Sequence, residues 1–128
     1  MTPDSPAIVL CRWLLALLLI VFGANGILRF LPVPKLPARA EAFRRALADT
    51  AYMTPLWKAV EFFAAALLML DLWVPFALVL LAPVLINILC FHFFLARKGL
   101  PLAALLVVCE ALLAWAHRHA FASLFGGA

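Results

Sequence analysis

Charge is the first thing this sequence has little of. Asp, Glu, Lys and Arg together make up 12% of the 128 residues, while hydrophobic residues make up 69%. A soluble domain carries about 25% charged and about 45–50% apolar residues. The deficit excludes a disordered chain and a coiled coil, and it leaves too little polar surface to cover a globule in water. Cysteine is scarce too: Cys11, Cys90 and Cys109 are the whole set. There is no Cys-x-x-Cys pair, so zinc ribbons and disulfide scaffolds fall away. Each cysteine lies in or beside an apolar run and reads as a small hydrophobe packed in a helix. Cys11 precedes its apolar run, the reverse of a lipid-attachment cysteine. The first ten residues hold Asp4 and no Lys or Arg, which argues against a cleavable signal peptide. Internal repeats, low-complexity tracts and flavin or haem motifs are missing.

What is present suits a bilayer. A membrane-spanning helix needs roughly 20 residues, so the chain has room for a single all-α transmembrane domain: a four-helix bundle over residues 1–128. The spans are expected at about 7–30, 55–74, 75–96 and 100–119. The second is the weakest, because its uncharged stretch runs only from Phe62 to Leu70, between Lys58, Glu61 and Asp71. Pro75 and Pro101 fall at first-turn positions, where a missing N–H is harmless. Pro83 sits inside the third span and should kink it, which membrane helices tolerate.

The only long connection joins the first two spans. It opens with Pro32, Pro34 and Pro37 and should start extended. Ala38 to Asp49 then reads as a helix, with Leu36, Ala40, Phe43 and Leu47 on one face and Glu41 placed to pair with Arg45. A short basic amphipathic helix beside a membrane segment lies in the interface. Four spans put both termini on one side, here side A. Side B holds the long connection and the Arg97-Lys98-Gly99 turn. Seven Lys/Arg residues lie on side B (Arg29, Lys35, Arg39, Arg44, Arg45, Arg97 and Lys98), against Arg12 and Arg118 on side A. That asymmetry predicts a cytoplasmic side B and non-cytoplasmic termini. The net charge of +4 then has a membrane explanation, and nucleic acid is not an expected partner. Trp13, Trp73 and Trp115 should sit at side A, and Trp57 with Tyr52 at side B.

Polar residues inside the spans are the candidates for function. Measured from side B at about 1.5 Å per residue, Asn25, Lys58, Glu61, His92, Asn87 and Glu110 all lie roughly 6 to 15 Å deep, on four helices. A charge at mid-bilayer costs roughly 2.5–3.5 kcal/mol, so such groups should face the bundle interior and find partners. Lys58 and Glu61, at i and i+3, can neutralise each other. Glu61, Asn87 and His92, with Lys58 and Asn25 at the rim and Glu110 at the floor, are expected to line one ligand-binding or proton-handling pocket open to side B. A bland alternative is a polar clamp that only fixes helix packing. His117 and His119 have no acid at metal spacing, and no metal site is expected.

With those positions in hand, the chain resembles the DoxX family of small four-helix membrane proteins over nearly its whole length. The resemblance rests on the run from Asn25 to Pro34, then Ala40 to Phe43, then Thr50 to Met53 leading into Leu56-Trp57-Lys58-Ala59-Val60-Glu61. It continues through Leu81-Ala82-Pro83-Val84, Asn87-Ile88, Phe91-His92 and Gly99-Leu100-Pro101. Where a glycine usually follows the threonine at the second helix entry, this chain has Ala51. The resemblance carries over Asn25, Lys58, Glu61, Asn87 and His92 as motif residues. It implies a bacterial inner-membrane protein, like relatives linked to thiosulfate:quinone oxidoreductase or to redox-stress complexes. Two functions follow as expectations. One is the membrane subunit of a quinone-linked oxidoreductase, with a quinone as cofactor and a soluble redox partner. The other is a non-enzymatic anchor or assembly factor using the basic face of Arg39, Arg44 and Arg45. Transport is a weaker third, since four short spans would need a homo-oligomer to enclose a path.

Overall fold

The computed structural model describes residues 2–32 and 35–126, so Pro34 of the expected extended opening lies outside the described residues. Within them the chain is all-helical. Helix α1 is Pro6–Leu28, α2 Ala38–Asp49, α3 Met53–Met69, α4 Val74–Phe94, α5 Leu100–Ala116 and α6 Arg118–Phe121. Two 3-10 turns, Arg97–Gly99 and Ala122–Phe125, precede α5 and follow α6.

Local chemistry explains the boundaries. Pro6 opens α1, and Arg29, in the left-handed region at φ 53, closes it with its N–H on the Asn25 carbonyl. Helix α2 has the bounds the pattern predicted. Thr50 caps the turn after it: its hydroxyl donates to the Leu47 carbonyl at 2.7 Å and accepts the Met53 N–H at 3.0 Å. The second expected span stops short, at Met69 rather than residue 74. Asp71 turns left-handed at φ 52, its N–H bonds the Leu68 carbonyl and the Leu72 N–H bonds that of Leu67. This paired closure is a Schellman motif, which ends a helix decisively. Helix α4 continues through Pro83 as one element. The fourth expected span is interrupted at His117, whose ring nitrogen and backbone N–H both take the Leu113 carbonyl, at 2.9 and 3.0 Å. Arg118 then starts a separate short helix.

Four of the helices pack in a ring in which α1 touches α3 and α5, and α4 touches α3 and α5. Gly26 lies beside Lys58, while Arg12 bonds the Leu68 carbonyl, so α1 and α3 run antiparallel. Leu15, Ala64, Leu68, Leu81 and Leu113 are among the fully enclosed core residues. The outer surface is apolar as well: Leu17, Phe63, Phe76, Ile86 and Val108 are all exposed. An apolar exterior of that extent belongs against another apolar phase. Three helical stretches, Pro6–Leu28, Val74–Phe94 and Arg97–Ala116, are long and apolar enough to cross a membrane, with mean hydropathy 2.5, 2.5 and 2.0. They point to a membrane protein. The 17 residues of α3 extend about 26 Å at 1.5 Å each, a little under the roughly 30 Å hydrocarbon core.

Helix α2 docks over the side B end of the ring. Ala40 is fully buried, Leu36 and Leu47 are half-buried, and the Phe43 ring lies 5.7 Å from that of Phe91 on α4. The apolar face read from the sequence is thus the docked face.

Candidate functional site

Three polar side chains of α3 gather on one helix face. Trp57 and Glu61 are one turn apart, so the indole reaches the carboxylate and Trp57 Nε1–H donates to Glu61 Oε1 at 2.6 Å. Lys58 Nζ stands 3.7 Å from the other oxygen, Oε2. Glu61 is buried while Lys58 is partly open, with side chains 6% and 23% exposed. Helix α1 makes the space by having no side chain there. A methyl group at Gly23 would lie 3.3 Å from Glu61 Oε2, and one at Gly26 would lie 3.2 Å from Lys58 Nζ. Gly26 is exposed, so the cluster sits at the edge of the α1–α3 seam.

Of the sequence-predicted set, the structure brings Lys58 and Glu61 into contact. Asn25 is buried, but its Oδ1 accepts the Leu31 N–H at 2.7 Å and ties down the chain leaving α1. His92 donates through Nδ1 to the Ala96 carbonyl at 3.1 Å, and its ring fills the space that Gly99 leaves in the α4–α5 turn. Both are engaged at helix ends. Asn87 is half-buried on α4. Glu110 is half-buried on α5, with Oε2 enclosed and without a hydrogen-bond partner among the described residues. Surface hollows of about 430 and 280 Å³ lie toward side A, around Trp115, Arg118 and Phe121 and around Phe76, Phe121 and Leu124. Sequence reasoning missed Trp57, assigned there to the membrane interface, and the two glycines; the i, i+4 spacing of Trp57 and Glu61 carried the signal.

The basic face of α2 is built around one acid. Arg44 pairs with Glu41 at 2.5 Å and Arg45 at 3.3 Å, while Arg39 is exposed. The Arg44 hydrogen bond holds the Glu41 carboxyl below its ordinary value, and Glu41 raises Arg44 in turn. At the other end, Arg12 donates to the Leu68 carbonyl and lies 3.8 Å from Asp71, with only 11% of its side chain exposed. The sequence marks Arg12 only as a span end; the structure makes it a tie between α1 and the last turn of α3. Its guanidinium lies 5.5 Å over Trp13, and that of Arg118 lies 4.7 Å over Trp115.

No protein-family model matches the chain, and neither a curated protein nor a solved structure matches it significantly. Fold and composition define a helical protein whose three long apolar helices point to a membrane.

Proposed function

We propose that the chain is a DoxX-like, four-span protein of a bacterial inner membrane that serves as the membrane subunit of a quinone-linked oxidoreductase, with side B cytoplasmic. The observation that carries this reading is the buried Glu61 carboxylate held by Trp57 and Lys58 at the α1–α3 seam. A quinone headgroup offers carbonyl oxygens that accept hydrogen bonds and take up protons on reduction. Lys58, partly open beside Glu61, is a donor suited to those oxygens, and Glu61 is a carboxyl able to pass a proton. Electrons come from a soluble redox partner docked on Arg39, Arg44 and Arg45. Support for a fourth crossing comes from α3 lying antiparallel along α1 between the Gly26–Lys58 and Arg12–Leu68 contacts. The Lys58–Glu61 pair also lowers the expense of its own insertion.

A second reading, an anchor or assembly factor without redox chemistry, draws on the exposed Arg39 and Arg45 of α2. Gentle detergent purification followed by mass spectrometry of extracted small molecules separates the two. Stoichiometric quinone that disappears in Glu61→Gln and Lys58→Met is the expected result. Quinone absent from the wild type, together with a co-purified protein lost in Arg39→Glu/Arg45→Glu, would transfer the assignment to the anchor.

A further inference from the structure

Side A carries two arginines, and they are partnered differently. Arg12 donates to the Leu68 carbonyl and lies 3.8 Å from Asp71. Arg118 forms no ion pair among the described residues. Its Nη1–H donates to the Trp115 carbonyl at 2.9 Å, and its guanidinium lies 4.7 Å over the Trp115 ring. Those two contacts steady the head on one flank. The rest of its fork of N–H donors is exposed. Arg118 also lines the hollow of about 430 Å³ outside α5, with Ala111, Ala114, Phe121 and Phe125. Ala111 and Ala114 precede Arg118 on α5, so they lie deeper in the apolar layer. Their short side chains leave an apolar trough beneath a single cation. The neighbouring hollow, lined by Phe76, Val79 and Leu124, has no charged residue.

We infer that the hollow at Trp115 and Arg118 seats one anionic phospholipid, with its phosphate on Arg118 and an acyl chain in the trough over Ala111 and Ala114. A guanidinium matches phosphate with paired N–H donors, and stacking on an indole holds it in place for that contact. A cation at the mouth of an apolar trough selects a molecule that is anionic at one end and hydrocarbon at the other. A free phosphate lacks the chain, and a quinone lacks the charge. The site lies at the side A end of α5, away from Lys58 and Glu61, and it requires only that the protein sit in a membrane.

The test titrates the full-length protein in detergent with dioleoylphosphatidylglycerol and, separately, with dioleoylphosphatidylcholine. Native mass spectrometry counts the lipids retained. One phosphatidylglycerol per chain should bind about fivefold more tightly than phosphatidylcholine, the effect of one arginine at an anionic headgroup. Arg118→Gln should bring the two lipids to the same affinity. Ala111→Leu, which fills the trough from an exposed position, should weaken both and leave the thermal unfolding midpoint unchanged. Glycerol phosphate, the headgroup without chains, should not displace the lipid; displacement would make this a free-phosphate site and overturn the inference. Equal affinities in the wild type, or a preference that survives Arg118→Gln, would overturn it too. A preference spread over many lipids per chain and indifferent to Ala111→Leu would reduce Arg118 to an ordinary interface anchor. A lipid-free dimer split by Ala111→Leu would hand the face to a second copy of the chain, and either result ends the phospholipid site.

Discussion

Gly23 and Gly26 face the same helix, but a methyl group added to each would meet different atoms. At Gly23 it would stand 2.9 Å from Phe62 Cε1 and 3.3 Å from Glu61 Oε2; at Gly26 the nearest atom is Lys58 Nζ, 3.2 Å away. The ring and the gripped carboxylate cannot move freely, whereas the end of a lysine can. Alanine favours a helix interior over glycine by about 1 kcal/mol, which applies at both positions. Overpacking at Gly23 costs about 1–3 kcal/mol and more than offsets it. Gly23→Ala is therefore expected to lower the thermal unfolding midpoint in detergent and to weaken the Trp57–Glu61 contact, seen as a change in Trp57 emission. Gly26→Ala should leave both unchanged or raise the midpoint slightly. Equal behaviour of the two variants would mean that the seam is not closed as described.

Helix α2 and the turn after it supply two tests at the scale of the element. Ala51 sits in the left-handed region at φ 70, where an L residue loses about 1–2 kcal/mol. Glycine takes back about 0.4–1 kcal/mol through its freer unfolded state. Ala51→Gly should thus stabilise the protein by up to about 1.6 kcal/mol, measured as a higher midpoint of thermal or denaturant unfolding. The second test is electrostatic. Glu41 has its folded-state pKa lowered from 4.5, chiefly by the Arg44 hydrogen bond. Its contribution is complete above the unfolded value and disappears as pH falls through the lowered one. The NMR signals of α2 should lose helical character across that acidic window, and Glu41→Gln should remove the pH dependence.

The bounds of α2 were legible because the prolines before it, the Glu41–Arg45 spacing and an apolar face agree over twelve residues. The end of α3 was not, because apolar residues continue on both sides of Asp71 and only the left-handed turn there stops the helix. At the site, Lys58–Glu61 was legible from i, i+3 spacing on one helix. Depth alone could not show that Asn25 and His92 bond within their own helix ends.

For the whole molecule, the number of crossings decides where the chain ends lie. Four crossings bring both termini to one side; if α3 lay outside the bilayer, three crossings would put them on opposite sides. The Lys/Arg asymmetry predicts a cytoplasmic side B, so the proposed four-span arrangement puts both ends outside. Thr2 and Ser123 are exposed near those ends, and Lys98 is exposed in the α4–α5 turn. Single cysteines at each position, with the native cysteines replaced, report accessibility to a membrane-impermeant maleimide in intact cells. Thr2→Cys and Ser123→Cys should both label at once, and Lys98→Cys only after the membrane is permeabilised. Labelling of one terminus alone would place α3 outside the bilayer. Labelling of Lys98→Cys while both termini stay protected would keep the four spans and reverse their orientation. The short α3 has an answer to its length in that arrangement. Its ends are the Arg12–Leu68 tie and the partly open Lys58, and charged or polar groups at both ends let a short helix meet the interfaces by snorkelling and local thinning.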